Sequence, residues 1–182
     1  MQAMNVKSSS VAHGFSRHSS RRERISQQLR LFDRQGEVAI SFAGCIEHNL
    51  GLDLRQTQVR RCVASIARRT AGFHWESDTL VGLALSIWHP KMTSMFDRLT
   101  EGLSVIADRP LTPKELLAAL PITNRERLRW TKDNRLKRSG GMTIKRGKLV
   151  TVPTYSVSAA ERILADHAML DRWREADRMA EA

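Results

Sequence analysis

The sequence predicts a mainly α-helical fold. An N-terminal helical subdomain precedes two short capped helices, a small β-hairpin and a C-terminal helix. Three observations carry this expectation. Apolar residues recur at helical spacing between Ile25 and Ile106. Two capping boxes, Thr112-x-x-Glu115 and Thr123-x-x-Glu126, follow one another with Pro121 between them. β-forming residues then flank the turn Arg146-Gly147.

Residues 1–20 are polar and serine-rich, without apolar periodicity, and read as a disordered basic arm. Arg17, Arg21, Arg22 and Arg24 could touch phosphates from it, or simply be solvated. Residues 21–108 read as the helical subdomain. Ser20 and Glu23 have capping-box spacing, and Ile25, Leu29 and Phe32 form one helical face, with Gly36 as the stop. Val38, Phe42, Cys45, Ile46 and Leu50 suggest a second helix, although Glu37–Phe42 also fits a short strand. Val59, Cys62, Val63 and Ile66 mark a third helix before Gly72. Ser77 or Asp78 could cap a fourth, carrying Leu80 to Trp88 and stopped by Pro90. Met92, Phe96, Leu99, Leu103 and Ile106 mark a fifth, and Asp108-Arg109-Pro110 a linker.

The charge singles out the next segment. The chain has 182 residues, 30 basic and 19 acidic, for a net +11. Residues 111–155 alone hold 11 basic and three acidic side chains, a net +8. Positive charge concentrated in a folded segment points to a polyanionic partner. There, Thr112-Pro113-Lys114-Glu115 opens a helix bearing Leu116, Leu117 and Leu120, which Pro121 ends. Thr123 then caps a second helix at 124–133, with Asn134 suited to a left-handed terminating residue. Its apolar side chains are Leu128 and Trp130, so a narrow edge should seat it and the rest should face outward. Strands at Met142–Lys145 and Lys148–Val152, the second ended by Pro153, would form a basic wing. Residues 111–157 therefore read as a winged helix-turn-helix, and 158–182 as a C-terminal helix opened by Ser158 and Glu161.

The stretch Ile122 to Leu136 resembles the helix-turn-helix core of the MerR and phage-excisionase class. Arg129, Trp130, Lys132, Asp133, Asn134, Arg135 and Leu136 match its R-W-x-K-[E/D]-[G/N]-R-L pattern, and Arg127 stands where that family usually has an apolar residue. The resemblance implies that the second helix enters the major groove of double-stranded DNA while the wing follows phosphates or the minor groove. Asn124, Arg125 and Arg127 are then the expected base contacts, since arginine pairs with guanine and asparagine with adenine. Thr123, Arg129, Lys132, Arg135, Lys137, Arg138, Lys145, Arg146 and Lys148 are the expected backbone contacts. Trp130 is assigned to the core, beneath the wing.

The expected role is a sequence-specific transcriptional regulator. An excisionase-like or replication accessory protein of a mobile genetic element is the alternative with the same surface, separable by whether the DNA is bent at tandem sites. A protein-interaction or inhibitor role for the basic face is the alternative of another class. RNA binding is disfavoured by the lack of an aromatic platform. A homodimer is a further expected partner, through the C-terminal helix or the helical subdomain. The C-terminal helix packed on its own domain is the plainer reading, with Asp171, Arg174, Glu175 and Arg178 pairing along its other side.

No enzyme activity, cofactor or metal is expected. Cys45, His48, Cys62 and His74 lack the two tight pairs of a zinc site and read as core thiols and unrelated histidines. His74, Glu76 and Asp78 lie close together but beside no nucleophile motif. No apolar run approaches the length of a membrane span and no secretory h-region opens the chain, so a cytoplasmic location is expected.

Overall fold

The computed structural model describes residues 20–34, 36–146, 148–166 and 168–181, and of Arg146 and Lys148 the backbone only. The arm expected at 1–20 lies, but for Ser20, outside the described residues. The chain divides into two compact units, one of residues 1–48 and 57–104, the other of 49–56 and 105–182.

The fold is mixed α/β with more helix than strand, and the segment expected to be a helical subdomain contains a sheet. In the first unit a four-stranded antiparallel sheet, in the order β1-β2-β4-β3, joins β1 (Arg30–Arg34), β2 (Glu37–Ser41), β3 (Phe73–Ser77) and β4 (Leu80–Leu83). Its helices are α1 (Arg21–Gln28), α2 (Ala43–Glu47), most of α4 (Gln56–Thr70) and α5 (Lys91–Asp108) as far as Ser104. Ser20 and Glu23 do form the capping box of α1. That helix stops at Leu29, and Phe32 belongs to β1, an exposed strand pairing with β2 around Gly36 at φ +95°. The strand alternative holds at Glu37–Ser41, where Val38, Ala39 and Ile40 are all buried between neighbouring strands and the core. The helix expected at Leu80 to Trp88 is instead β4 and a bend, and Trp88 is 86% exposed. The apolar run at 80–83 pairs with both β2 and β3, which gives its backbone groups partners on both sides. Ser77 and Asp78 consequently cap no helix; Asp78 pairs with Arg60, and Glu76 with Arg34 at 2.7 Å.

Cys45 is fully buried, with Sγ 3.6 Å from the Ile25 carbonyl, and burial pushes its thiol up to about 12 against a smaller opposing backbone hydrogen bond. Burial also raises Cys62, which lies against Gly102, where a Cβ would meet its sulfur at 2.6 Å. Both thiols are therefore held protonated and unreactive near neutral pH.

The second unit contains α3 (Leu50–Asp53), α6 (Pro113–Ala119), α7 (Asn124–Lys132), β5 (Arg138–Arg146), β6 (Lys148–Tyr155), α8 (Val157–Ala165) and α9 (Ala168–Glu181). Both predicted capping boxes are present, Thr112 with Glu115 and Thr123 with Glu126. Asn134 takes φ +65°, the left-handed geometry expected after the helix. The hairpin is longer than expected. β5 begins at Arg138, Gly140 and Gly141 lie inside it, and Pro153 sits within β6 opposite Gly141. Leu111 bridges Tyr155 with both backbone hydrogen bonds, 2.7 and 2.9 Å, tying the start of the unit to the end of the hairpin. Beyond it the single C-terminal helix expected from Ala159 is two. Ser156, not Ser158, caps α8, and the chain breaks at Asp166 before α9.

One core serves these elements. Leu111, Leu116, Leu120, Trp130, Leu136, Tyr155, Ala160, Ile163 and Leu170 are buried in it, and Trp173 packs against it. Gly51 of α3 lies so near α5 that a Cβ would run into the Ala107 carbonyl. The backbone there cannot rotate aside as a side chain could. Gly51→Ala is therefore expected to lower the unfolding free energy by about 1–3 kcal/mol and the urea midpoint with it, although alanine is the better helix former. An unchanged midpoint would show that α3 can shift.

Candidate nucleic-acid interface

α6 ends at Ala119 with Leu120 as its C-cap, and Thr123 caps α7 after only Pro121 and Ile122. The seat of α7 is not the edge its apolar residues suggested. Arg127, Trp130 and Thr131, at i, i+3 and i+4, are buried, whereas Leu128 is 55% exposed. The Trp130 ring has no exposed surface and meets Trp173 of α9 edge-on, with centroids 5.0 Å apart. Its Nε1–H donates to Asp177 at 3.0 Å. The described partners of that ring thus lie on α9 and at Arg135, whose guanidinium stands 5.7 Å from it.

The cations predicted for this surface divide sharply. Arg127, an expected base contact, is only 7% exposed. It donates from Nε and Nη2 to Asn124 Oδ1, at 3.0 and 2.8 Å, and from Nη1 to the Tyr155 hydroxyl at 2.8 Å. It therefore cannot reach a base edge. Arg129 and Arg135, both expected on phosphates, are engaged internally. Arg129 pairs with Asp177 at 3.1 Å and with Glu181. Arg135 pairs with Asp133 and Asp177 and donates to the Trp173 carbonyl at 3.0 Å. Burial alone would raise the Asp177 carboxyl. Hydrogen bonds from Arg135, Trp130 and Arg129 outweigh this and hold it below the ordinary carboxylate range. Glu126 is likewise lowered, its burial outweighed by hydrogen bonds from Arg174 and Thr123. That pairing, at 2.8 Å, fastens α9 to the first turn of α7, while Arg174–Asp171 and Arg178–Glu175 pair along α9 as expected.

What remains outward is narrower and better defined. Asn124, Arg125, Leu128 and Lys132 are exposed on α7, the last three at i, i+3 and i+7 along one face. Thr123 is exposed at the N-cap, where four backbone N–H groups begin the helix. Lys137, Arg138 and Lys145 are exposed along the approach to the hairpin and on β5. Arg146 and Lys148 stand opposite one another in the hairpin register. Among the described residues Arg125, Lys132, Lys137, Arg138 and Lys145 have no carboxylate partner. Sequence reasoning missed Leu128 as a surface residue, taking it for the buried edge. Its apolar neighbour Trp130 lies two positions on, which on a helix is a different face, so one edge could not bury both.

Among the described residues no group of three or more histidine, cysteine or acidic side chains could hold a metal ion, and no helix is long and apolar enough to cross a membrane. No family model matches the chain, and no curated protein or solved structure does either.

Proposed function

We propose that the second unit carries a winged helix-turn-helix that binds double-stranded DNA, with α7 in the major groove and the β5–β6 hairpin as its wing. The observation that carries this is the outward face of α7. It is a stripe of Arg125, Leu128 and Lys132, free of carboxylate partners and continuous in sequence with the cations of the wing. A helix needs about 12 Å of groove, which the major groove offers, and its first turn is the part that reaches base edges. Arg125 is suited to a guanine, and Leu128 to the methyl group of a thymine. Lys132, Lys137, Arg138 and Lys145, with Arg146 and Lys148 at the hairpin end, are suited to phosphates. Burial keeps Arg127 from contact, and the charges of Arg129 and Arg135 are partly neutralised by Asp177, Glu181 and Asp133. The MerR and excisionase resemblance at Arg129–Leu136 supports the same docking. A transcriptional regulator is the role it favours.

The test is binding of a random-sequence duplex by the full chain across a salt series. About six phosphate contacts give a slope of log affinity on log salt near −5. Lys137→Glu with Arg138→Glu is expected to weaken every duplex alike, and by at least tenfold, because two phosphates lose a counter-charge and gain a repulsion. Arg125→Ala should flatten one position of the selected motif and leave the slope nearly unchanged. Binding that ignores salt, or a variant pair that binds as the parent does, would remove this reading. It would favour a protein partner for the basic face.

A further inference from the structure

We infer that Arg127 sets the base preference of Asn124, so that position 124 reads guanine and rejects adenine. This rests on the DNA-binding reading above and deepens it. A guanidinium has only donors, so the Asn124 atom facing Arg127 must be the carbonyl oxygen, whichever way the amide is assigned. That oxygen accepts twice, from Nε at 3.0 Å and Nη2 at 2.8 Å, which occupies both of its lone pairs. The third donation runs inward. Tyr155 Oη accepts from Arg127 Nη1 and lies 3.0 Å from Thr131 Oγ1, whose own proton goes to the Arg127 carbonyl at 2.6 Å. The Tyr155 proton is thereby directed to Thr131.

Arg127 is buried and has no carboxylate partner among the described residues, so these oxygens are all that compensate its charge. Turning the Asn124 carbonyl out to a base would strand guanidinium N–H groups in a buried site, the costliest way to lose a hydrogen bond. Asn124 therefore keeps its oxygen inward and has only its NH2 donors left for DNA. The usual asparagine–adenine pair needs that oxygen to accept from the adenine amino group. With donors alone, the residue can serve both acceptors of guanine, O6 and N7, but only N7 of adenine, whose amino group opposes it. The same Arg127 that fails as a base contact is a positioning residue for one.

The experiment is selection of bound duplexes from a random pool by the full chain, repeated with three variants. The wild type is expected to select guanine at the position that Asn124→Ala flattens. Asn124→Asp keeps the Arg127 partner but turns an acceptor outward, and is expected to move that position to cytosine, whose amino group donates. Arg127→Met frees the carbonyl and is expected to move it to adenine by about tenfold, with the other positions unchanged. If Arg127→Met fails to fold by its thermal transition, Asn124→Asp decides. Adenine in the wild-type motif at that position, no position flattened by Asn124→Ala, or guanine retained by Asn124→Asp each overturns the assignment while leaving the DNA-binding reading intact. Should the wild type enrich no duplex, the DNA-binding reading fails and this inference fails with it.

Discussion

Trp130→Ala is expected to destabilise the second unit by about 3–5 kcal/mol, among the largest losses that one substitution can produce here. The ring is wholly buried in the core of the second unit, so its removal leaves a cavity beside Trp173. The edge-on pair with Trp173 and the donation to Asp177 vanish together. Asp177 would still hold Arg129 and Arg135, which makes the loss one of packing more than of charge. Trp130→Phe keeps one aromatic ring in the core but loses the N–H and part of the bicycle, and should cost less, about 1–3 kcal/mol. Urea unfolding followed at the second unit measures both. DNA affinity should fall with stability, because α7 buries three residues and this is the largest of them. A Trp130→Ala loss below about 1 kcal/mol would mean that α7 is seated otherwise.

The helix pair, its caps and the left-handed Asn134 were legible because each is a local matter. Thr112 needs only Glu115, and Thr123 only Glu126, to complete their boxes. Residues 80–88 were not legible. A continuous apolar run carries no period, and what makes Leu80–Leu83 a strand is pairing with Val38–Ser41, some 40 residues earlier. The fate of the arginines was hidden for the same reason. Arg127 looks like a surface cation on a polar helix, and its burial depends on Tyr155, 28 residues on. Arg129 and Arg135 were counted toward the +8 of residues 111–155, yet the carboxylates that neutralise them lie largely on α9, outside that segment. A charge count by segment thus overstates the charge free to meet a partner. Position 127 is core, filled by a guanidinium with its own polar lining.

Arg55→Ala is expected to cost about 3–5 kcal/mol, although nothing around it in sequence marks it out. Its side chain has no exposed surface, and each of its five N–H groups finds an acceptor. Nε and Nη2 grip the two oxygens of Glu115, at 2.7 and 3.2 Å. Nη1 donates to the carbonyls of Ile106 and Arg109, and Nη2 to that of Pro110, which together end α5 and shape the linker into α6. Glu115 meanwhile accepts from the Thr112 amide at 2.8 Å, so one carboxylate both neutralises Arg55 and caps the helix before α7. Burial by itself would raise that carboxyl. The hydrogen bonds from Arg55 and Thr112 and the Arg55 charge bring it down to about 2, from an ordinary 4.5. A carboxyl depressed by folding stabilises above its unfolded value and loses that contribution as pH falls. About 3 kcal/mol is therefore complete above pH 4.5 and disappears between there and pH 2. Asp177 and Glu126 push in the same direction, so acid unfolding should be steep over this window. Glu115→Gln is expected to be several kcal/mol less stable at pH 7, where Arg55 stays buried without its counter-charge, and to show a shallower decline toward pH 3. Parallel urea midpoints for the two proteins across pH 3–7 would mean that the Arg55–Glu115 pair adds nothing to folding.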